Sequence, residues 1–589
     1  MQVPLTPLAL LPLLQATVDS LIAAQLTSAD HPAYGAVVNS DDGRPAPWAT
    51  SGLITAGAYL CLVRGAEDPA LLTRLIAAAD ALLALQRPGG LVDLPTVNID
   101  SSPDTGFMVQ QLCTVLSLGK DAAWGGPRWE ALLDRVAAFV RRAVPGMAAG
   151  GFHTPNHRWV IAAALTQAHA LFPDLDVAPA IDAYLAEGID VDAEGFYIER
   201  SIGTYDAVND RSWLLIAEHR PVRDELDGVD RNLTLDLHLL HADGTAETGL
   251  SHRQDYGQRA VPTGLIPSLL LYDRLRPTPR FVAAANALWR LAPAPGDLLW
   301  TLYALLRCGS SVRPGAVEGV SRAAAPAPAP GAPAAASHEA KDPLAGAPAE
   351  SLPADFALHL PLNGIWRLRR GPLSVSVFRD TPRLLSFGFG RAMISAVRID
   401  QTYFGGDCGR FIGNALTVDA GEVVLRSEGL GRPRRPGYEL PLGRPVPPER
   451  WAETVAERGL RTLPPALSTL TLREIDGGLA LHYHTLDGMP GVAAQVALDF
   501  EPGGIWETAD TRMMPQPGQV LFLKQGWGEM RYGTDDIRIE GGAYAHSMWA
   551  MRETVPPGES VRVLLTFDTP IDHVIRLRGS SGPDAVVRG

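Results

Sequence analysis

The chain has 589 residues, 46% of them hydrophobic and 20% charged, with a formal net charge of −14. That length exceeds what one ordinary core serves, so two or more globular domains are expected. The acidic balance argues against a nucleic-acid binder, which needs a basic excess or stripe, and it means that any anionic ligand must be held by a local cationic cluster.

The first segment, MQVPLTPLALLPLLQATVDSLIAAQ, is apolar, yet no Lys or Arg precedes its apolar run and prolines interrupt it. It reads as the first helix of the fold rather than as an export signal. No later stretch approaches an uninterrupted membrane span, so a cytoplasmic protein without membrane contact is expected. Through residue 321, apolar residues recur at helical spacing in segments such as ALLTRLIAAADALLALQ, WEALLDRVAAFVRRAV and FVAAANALWRL, parted by Gly, Pro and Asp. About a dozen helices are expected, a count that suits a toroid of helical hairpins and fits an α-solenoid as well. Cys61, Cys113, Cys308 and Cys408 lie far apart with no CxxC pair, which favours a reducing compartment or plain core packing.

Within that helical half, SSPDTGFMVQQL sets Asp104 and Gln110 near a helix start, as a sugar-contacting loop or an N-cap. In HTPNHRWVIAAAL, Thr154 is a good N-cap and Pro155 a favoured first residue, so Asn156 and His157 fall at the second and third positions. The positive end of a helix attracts anions and depresses the pKa of a nearby imidazole, which would keep His157 neutral. In GFYIERSIGTYDAVNDRSWLLIAE, Gly203 and Thr204 precede another apolar helix, with Tyr205 in its first turn. If the two helices are parallel members of a toroid, both polar starts line one rim. Around them fall Arg158, Glu199, Arg200, Asn209 and Arg211, and DGTAETGLSHRQDYGQR adds Glu247, His252, Arg253, Gln254, Asp255, Tyr256 and Arg259. Each arginine alone is more often a paired surface charge, but a cationic patch in an acidic protein suits a carboxylate, which Arg grips bidentately.

Residues 322–352, RAAAPAPAPGAPAAASHEAKDPLAGAPAESL, hold almost no large apolar side chains and read as a linker or mobile insertion. From residue 353 to 589 the period changes to two, as in IWRLRRGPLSVSVF and ESVRVLLTFDTP, and Asp476-Gly477 between two such runs signals a hairpin. This half is expected to be antiparallel β, as a sandwich. Its QTYFGGDCGRF loop offers Tyr403, Asp407 and Arg410 as substrate contacts. His482 and His484 alternate along a strand and share one face, with Asp487 nearby; two histidines so placed could ligate a metal, but no third ligand is evident.

An Asn-His pair opening one helix, followed by a Ser/Gly turn and a Tyr opening another, resembles the helical-toroid polysaccharide lyases of the heparinase II/III, oligoalginate lyase and hyaluronate lyase type. The resemblance covers the central helical region, and the order of toroid then sandwich extends it over most of the chain. The fold class expected is therefore α+β multidomain, with an N-terminal (α/α) toroid over 1–321 and a C-terminal antiparallel β-sandwich over 353–589. The resemblance implies β-elimination on a uronate-containing glycan. It carries Asn156 and His157 to the carboxylate-neutralising and base positions and Tyr205 to the proton-donating one. Arg158, Arg200, Arg211, Arg253, Gln254, Tyr256, Arg259, Asp104 and Tyr403 are then the expected substrate contacts. The sequence departs from the family around the Tyr and lacks a recognisable zinc-ligand set in its β half. No cofactor is expected, and a structural metal there is not indicated.

The chemistry calls for these residue types. Removing the C5 proton of a uronate builds a second negative charge beside the first, so donors to the carboxylate must be in place, each worth a few kcal/mol. His157 or Tyr205 would take the C5 proton, and Tyr205 would protonate the departing O4. Without an export signal, an exolytic enzyme finishing imported oligosaccharides is expected. Two rivals remain: a glycoside hydrolase on the same architecture, drawing two carboxylates from Asp104, Glu199, Glu247 and Asp255, and a noncatalytic glycan-binding protein.

Overall fold

The computed structural model describes residues 5–292, 296–308, 352–401, 410–427, 441–458, 467–488, 490–543, 545 and 558–582. The chain divides into two compact units, one comprising Met1–His238 with Leu250–Leu352, the other Leu239–Gly249 with Pro353–Gly589. All but the last residue of the Pro/Ala-rich stretch 322–352 lies outside the described residues.

Twelve helices make up the described part of the first unit. They are α1 (Leu11–Ala23), α2 (Pro47–Arg64), α3 (Pro69–Leu85), α4 (Ser102–Gly119), α5 (Pro127–Ala149) and α6 (Pro155–Leu171). After them come α7 (Ala178–Leu185), α8 (Tyr205–Ala217), α9 (Arg223–His238), α10 (Leu265–Leu275), α11 (Pro279–Leu291) and α12 (Leu298–Arg307). A small hairpin of β1 (Val92–Leu94) and β2 (Asn98–Ser101) precedes α4. Proline stands in the first turn of most of these helices, where a missing N–H leaves no hydrogen bond unmade.

The even-numbered helices pack in a closed ring, α2 on α4, α4 on α6, α6 on α8, α8 on α10, α10 on α12, and α12 back on α2. The odd-numbered helices pack outside it, each against an inner neighbour. Closure makes this an (α/α) toroid and removes the open solenoid that the helix count also allowed. The sequences divide the same way. Inner α6 buries Trp159 through Ala168 without a break, whereas outer α5 buries one stripe and leaves Arg141 and Arg142 exposed. Contacts between inner helices join residues at like heights, so these helices run parallel. Tyr59 Oη lies 2.5 Å from Thr114 Oγ1, Gln110 Nε2 donates to Val160 O at 3.2 Å and to Ser212 Oγ at 3.1 Å, and Ser268 Oγ donates to Ala207 O at 3.5 Å. The N-termini of α4, α6, α8 and α10 therefore gather at one end. Gln110 is thus a buried tie between α4, α6 and α8 rather than a sugar contact. Cys61 and Cys113 are buried free thiols, while Cys308 is exposed, which corrects the expectation of core packing there. Among the described residues no helix is long and apolar enough to cross a membrane.

The second unit is built from two facing sheets. In chain order its strands are β3 (Asp355–Leu360), β4 (Ile365–Arg370), β5 (Leu373–Phe378), β6 (Leu385–Phe389), β7 (Ala392–Gln401), β8 (Ala415–Asp419), β9 (Glu422–Ser427), β10 (Ser468–Ile475) and β11 (Gly478–Thr485). They continue as β12 (Ala493–Phe500), β13 (Ile505–Thr508), β14 (Arg512–Met513), β15 (Val520–Phe522), β16 (Trp527–Tyr532), β17 (Asp535–Glu540), β18 (Val561–Asp568) and β19 (Asp572–Ser581). One sheet has the order β15-β18-β12-β7-β6-β5-β4-β3, the other β14-β13-β16-β17-β19-β11-β10-β9-β8. Among the described residues every pairing of these strands is antiparallel except β15 with β18. Leu373, Val375 and Val377 of one sheet and Leu470, Leu472, Leu481 and Tyr483 of the other share a single core. The β10–β11 turn contains Gly477 at φ +67°, the left-handed conformation that the Asp-Gly pair announced.

Residues 239–249 belong with this unit although they fall inside the segment expected to be wholly toroid. They form a tight hairpin, with Leu240 bridged to Ala246 and His241 N–H donating to Thr245 O at 2.8 Å. The cause is a buried ionic network. Glu247 accepts from Ser376 Oγ at 2.8 Å and Ser386 Oγ at 2.5 Å and pairs with Arg383 at 3.2 Å, while Arg367 donates to Leu240 O at 2.6 Å. The alternation in β5, Leu-Ser-Val-Ser-Val, gives its apolar residues to the core and its serines to this hairpin.

Candidate active site

The start of α6 is built as its residues dictate. Thr154 is the N-cap in extended conformation and Pro155 the first helical residue. The Thr154 hydroxyl does not cap the backbone; it accepts instead from Asn156 Nδ2 at 3.0 Å. The same amide nitrogen donates to both oxygens of Glu199, at 2.9 and 3.0 Å. Asn156 is completely buried, and its Oδ1 has no partner. Both amide hydrogens are therefore committed to neighbours.

Glu199 lies on the loop that leads into α8. Its carboxylate also meets Arg253 at 3.3 Å. The Arg253 guanidinium in turn lies over the Tyr205 ring, 4.3 Å from the centroid. Burial raises the Glu199 pKa, an effect that Asn156 and Arg253 oppose. A chain of contacts, Asn156 to Glu199 to Arg253 to Tyr205, thus joins the N-terminus of α6 to that of α8.

Tyr205 is the first residue of α8, and its own N–H donates to Ser201 Oγ at 3.2 Å. The turn before it is locked by Asp255, which accepts from Ser201 Oγ at 2.9 Å, from Gly203 N–H at 3.1 Å and from Ser251 Oγ. A Cβ at Gly203 would fall 2.7 Å from Asp255 Oδ2, so a glycine is required for the approach.

His157 follows Asn156 and is half-buried. Burial lowers its pKa to about 4; the nearby charges of His153 and Arg253 add to that, and Asp104 opposes it. The direction is the one expected from the helix start, with burial the leading cause. His153 N–H donates to His157 Nδ1 at 3.4 Å, which leaves the proton of the neutral ring on Nε2. The ring also stands edge-on to Phe107 of α4, with centroids 6.2 Å apart.

The other expected contacts separate into three groups. Arg253 joins the site; Gln254, Tyr256 and Arg259 continue its loop, with Gln254 and Tyr256 exposed. Three arginines serve packing instead. Arg158 pairs with Glu187 at 2.5 Å and Asp190 at 3.1 Å and lies over Trp159. Arg211 is buried against Asp297 at 3.4 Å and Trp300 at 4.5 Å, and Arg200 sits at φ +50° with its guanidinium over Phe196. Asp104 accepts from Ser101 Oγ at 2.5 Å and Asn98 Nδ2 at 2.8 Å at the start of α4. Tyr403 and Asp407 lie outside the described residues, and the backbone of Arg410 pairs antiparallel with that of Asp400 in the second unit.

Two features went unread in the sequence. Behind Tyr205, the carboxyls of Asp206, Asp210 and Asp236 are all buried, and burial is the leading cause that raises each pKa, helped by the charges of Asp255 and Glu199 at Asp206, of Asp206 at Asp210, and of Asp206 and Asp210 at Asp236. The available signal was acids at four-residue spacing on an otherwise apolar helix. The second is Trp48, 52% exposed at the start of α2, which borders cavities of about 200 and 670 Å3, the larger also lined by Trp300.

No family model and no curated protein matches the chain in sequence. Among solved structures it is similar to a Paenibacillus xanthan lyase, with TM-score 0.55 and 9% identity over 98% of this chain and 57% of that one. It is similar also to the Streptomyces coelicolor A3 chondroitin AC lyase in complex with chondroitin sulphate, with TM-score 0.50 and 11% identity over 97% and 79%. A third likeness, with TM-score 0.47 and 9% identity over 97% and 84%, is to the heparan sulfate lyase HepC from Pedobacter heparinus. This chain spans little more than half the length of the xanthan lyase. At such identities the likeness is one of fold: the chain shares the toroid and β-sandwich architecture of solved polysaccharide lyases.

Proposed function

We propose that the protein is a polysaccharide lyase that cleaves a uronate-containing glycan by β-elimination. The observation that carries the reading is the convergence of a neutral imidazole and a guanidinium-covered phenol at two adjacent helix starts. His157, with its proton on Nε2, is a hydrogen-bond donor to the uronate carboxylate. The N-terminus of α6 adds its positive end. Tyr205, its own proton already given to solvent, takes the C5 proton as a phenolate, the C4–C5 double bond forms as the C4–O4 bond breaks, and the phenol so formed gives that proton to O4, which restores the phenolate. The Arg253 cation over the ring offsets the negative charge that the oxygen carries at the start and end of this cycle. Asn156 and Glu199 are positioning residues that hold Arg253, and Trp48 offers a sugar ring an aromatic face. The architecture shared with a lyase solved on chondroitin sulphate supports an anionic glycan as the substrate class.

Each of the four carboxylates that the hydrolase reading offered is engaged in holding its own surroundings. Asp104 is tied to Ser101 and Asn98, Glu199 to Asn156 and Arg253, Asp255 to the Ser201 turn, and Glu247 belongs to the second unit. A screen of uronic-acid glycans for ultraviolet absorbance of an unsaturated uronide tests the proposal. Absorbance growing with wild type and absent with Tyr205→Phe is the expected result. New reducing ends without that chromophore would overturn it.

A further inference from the structure

The second unit carries a cluster that the proposed reaction does not use. His482 and His484 alternate on β11, whose inward residues Leu479, Leu481 and Tyr483 enter the core, so both imidazoles stand on the opposite face. The third group, absent from the neighbouring sequence, comes from the C-terminal strand. Asp572 on β19 is in direct register with His484, and His482 is two pairs further along, opposite Val574. His482 Nε2 lies 2.5 Å and His484 Nδ1 3.9 Å from the same oxygen, Asp572 Oδ1. One ligand atom from each residue falls within 4.8 Å of the others.

A second observation points to a ligand. His484 Nδ1 is shielded from solvent and has no hydrogen-bond partner, although it faces a carboxylate. A buried ring nitrogen is costly when unpaired, and a cation between the three groups would satisfy it. The spacing suits that ion. Bonds of about 2.0–2.2 Å in tetrahedral array set ligand atoms roughly 3.3 Å apart. The short pair must open by about 0.8 Å, the long pair close by about 0.6 Å, and the two imidazole nitrogens close by up to about 1.5 Å, within reach of rotamer adjustment in partly exposed side chains. Two imidazoles and one carboxylate form a borderline donor set, which prefers zinc-type ions to magnesium or calcium.

We propose that His482, His484 and Asp572 form a Zn2+ site, with a fourth position left to water, that staples β11 to β19. The location gives the staple a purpose. The β11–β19 pairing is the seam where the strands β8 to β11 meet the strands that follow β12 in the same sheet. An ion there binds the folded sheet and not the unfolded chain, so it stabilises by mass action.

The test uses the full chain stripped of metal, then equilibrated with Zn2+ and freed of excess, with bound zinc counted by elemental mass spectrometry. The companions are His484→Ala, the His482→Ala/His484→Ala pair and Asp572→Asn. In the metal-free state all should melt with wild type, since the side chains project from the sheet away from the core. Wild type is expected to retain one equivalent more than each variant, and Zn2+ to raise its melting temperature and not theirs. Equal zinc retention by wild type and the double variant would overturn the site, and retention without a melting shift would overturn the staple. Neither outcome bears on lyase activity.

Discussion

Glu199 joins the start of α6 to the loop beside Tyr205, because its two oxygens receive the Asn156 amide while Arg253 approaches one of them. Replacing it with Ala leaves one N–H of the buried Asn156 amide without its acceptor and takes the paired carboxylate from Arg253, at about 1–3 kcal/mol each, and loosens Arg253 in its place over Tyr205. Glu199→Ala is expected to lower kcat sharply, whereas Glu199→Gln, which keeps the shape and an acceptor, should retain more of it; steady-state kinetics would separate the two. For Tyr205 the expectation is steeper. Tyr205→Phe keeps the ring under Arg253 and deletes only the proton carrier, so kcat should fall by about 10²–10⁴-fold with little change in KM. His157 adds a signature in stability. Its folded pKa, about 4, lies below the ordinary 6.5. As pH falls through that window the unfolded chain takes up a proton that the folded state refuses, so stability is lost there and is present above it. Unfolding midpoints of wild type minus those of His157→Gln should show that loss between pH 6.5 and 4; parallel curves would contradict the burial argument.

At the scale of elements, the start of α8 does two things. It presents Tyr205 outward and sends Asp206 and Asp210 inward, against Asp236 of α9. These raised carboxyls keep protons in the folded state that the unfolded chain gives up above pH 3.8, so they cost stability as pH rises from that value. Asp206→Asn, whose amide oxygen can still accept from Ser201 N–H, should flatten the alkaline side of a stability profile. The hairpin 239–249 behaves differently. Burial would raise the Glu247 pKa, but Arg383, His241 and Arg367 more than reverse it and hold the carboxyl well below its usual range. Glu247→Ala strands buried cations and should destabilise the second unit by about 3–5 kcal/mol, read by calorimetry. A loss near zero would mean that the network is not formed.

For the whole molecule, the period of the apolar residues made the architecture legible. Helical spacing before the linker and alternation after it yield the toroid and the sandwich, and Asp476-Gly477 marks a hairpin that forms. Ring closure was not legible, since it depends on α12 meeting α2 across most of the unit. The helix-start residues Asn156, His157 and Tyr205 could be read because N-cap and proline signals are local. Their partners could not, because Glu199 and Arg253 reach them through loops whose course no spacing rule sets. The pairing of Arg158 and Arg211 was hidden for the same reason: a sequence shows a charge and not whether an acid or a tryptophan waits for it. Glu247 and Asp572 are the extreme cases, each acting with groups more than eighty residues away.

The account rests on elimination rather than hydrolysis, and the fate of solvent oxygen distinguishes them. A uronate glycan digested in H2 18O, with the products weighed by mass spectrometry, should yield unsaturated fragments whose new ends carry no solvent label at the moment of cleavage. One labelled oxygen gained per cleavage, at the new reducing end, with no unsaturation in either fragment, would contradict the central claim.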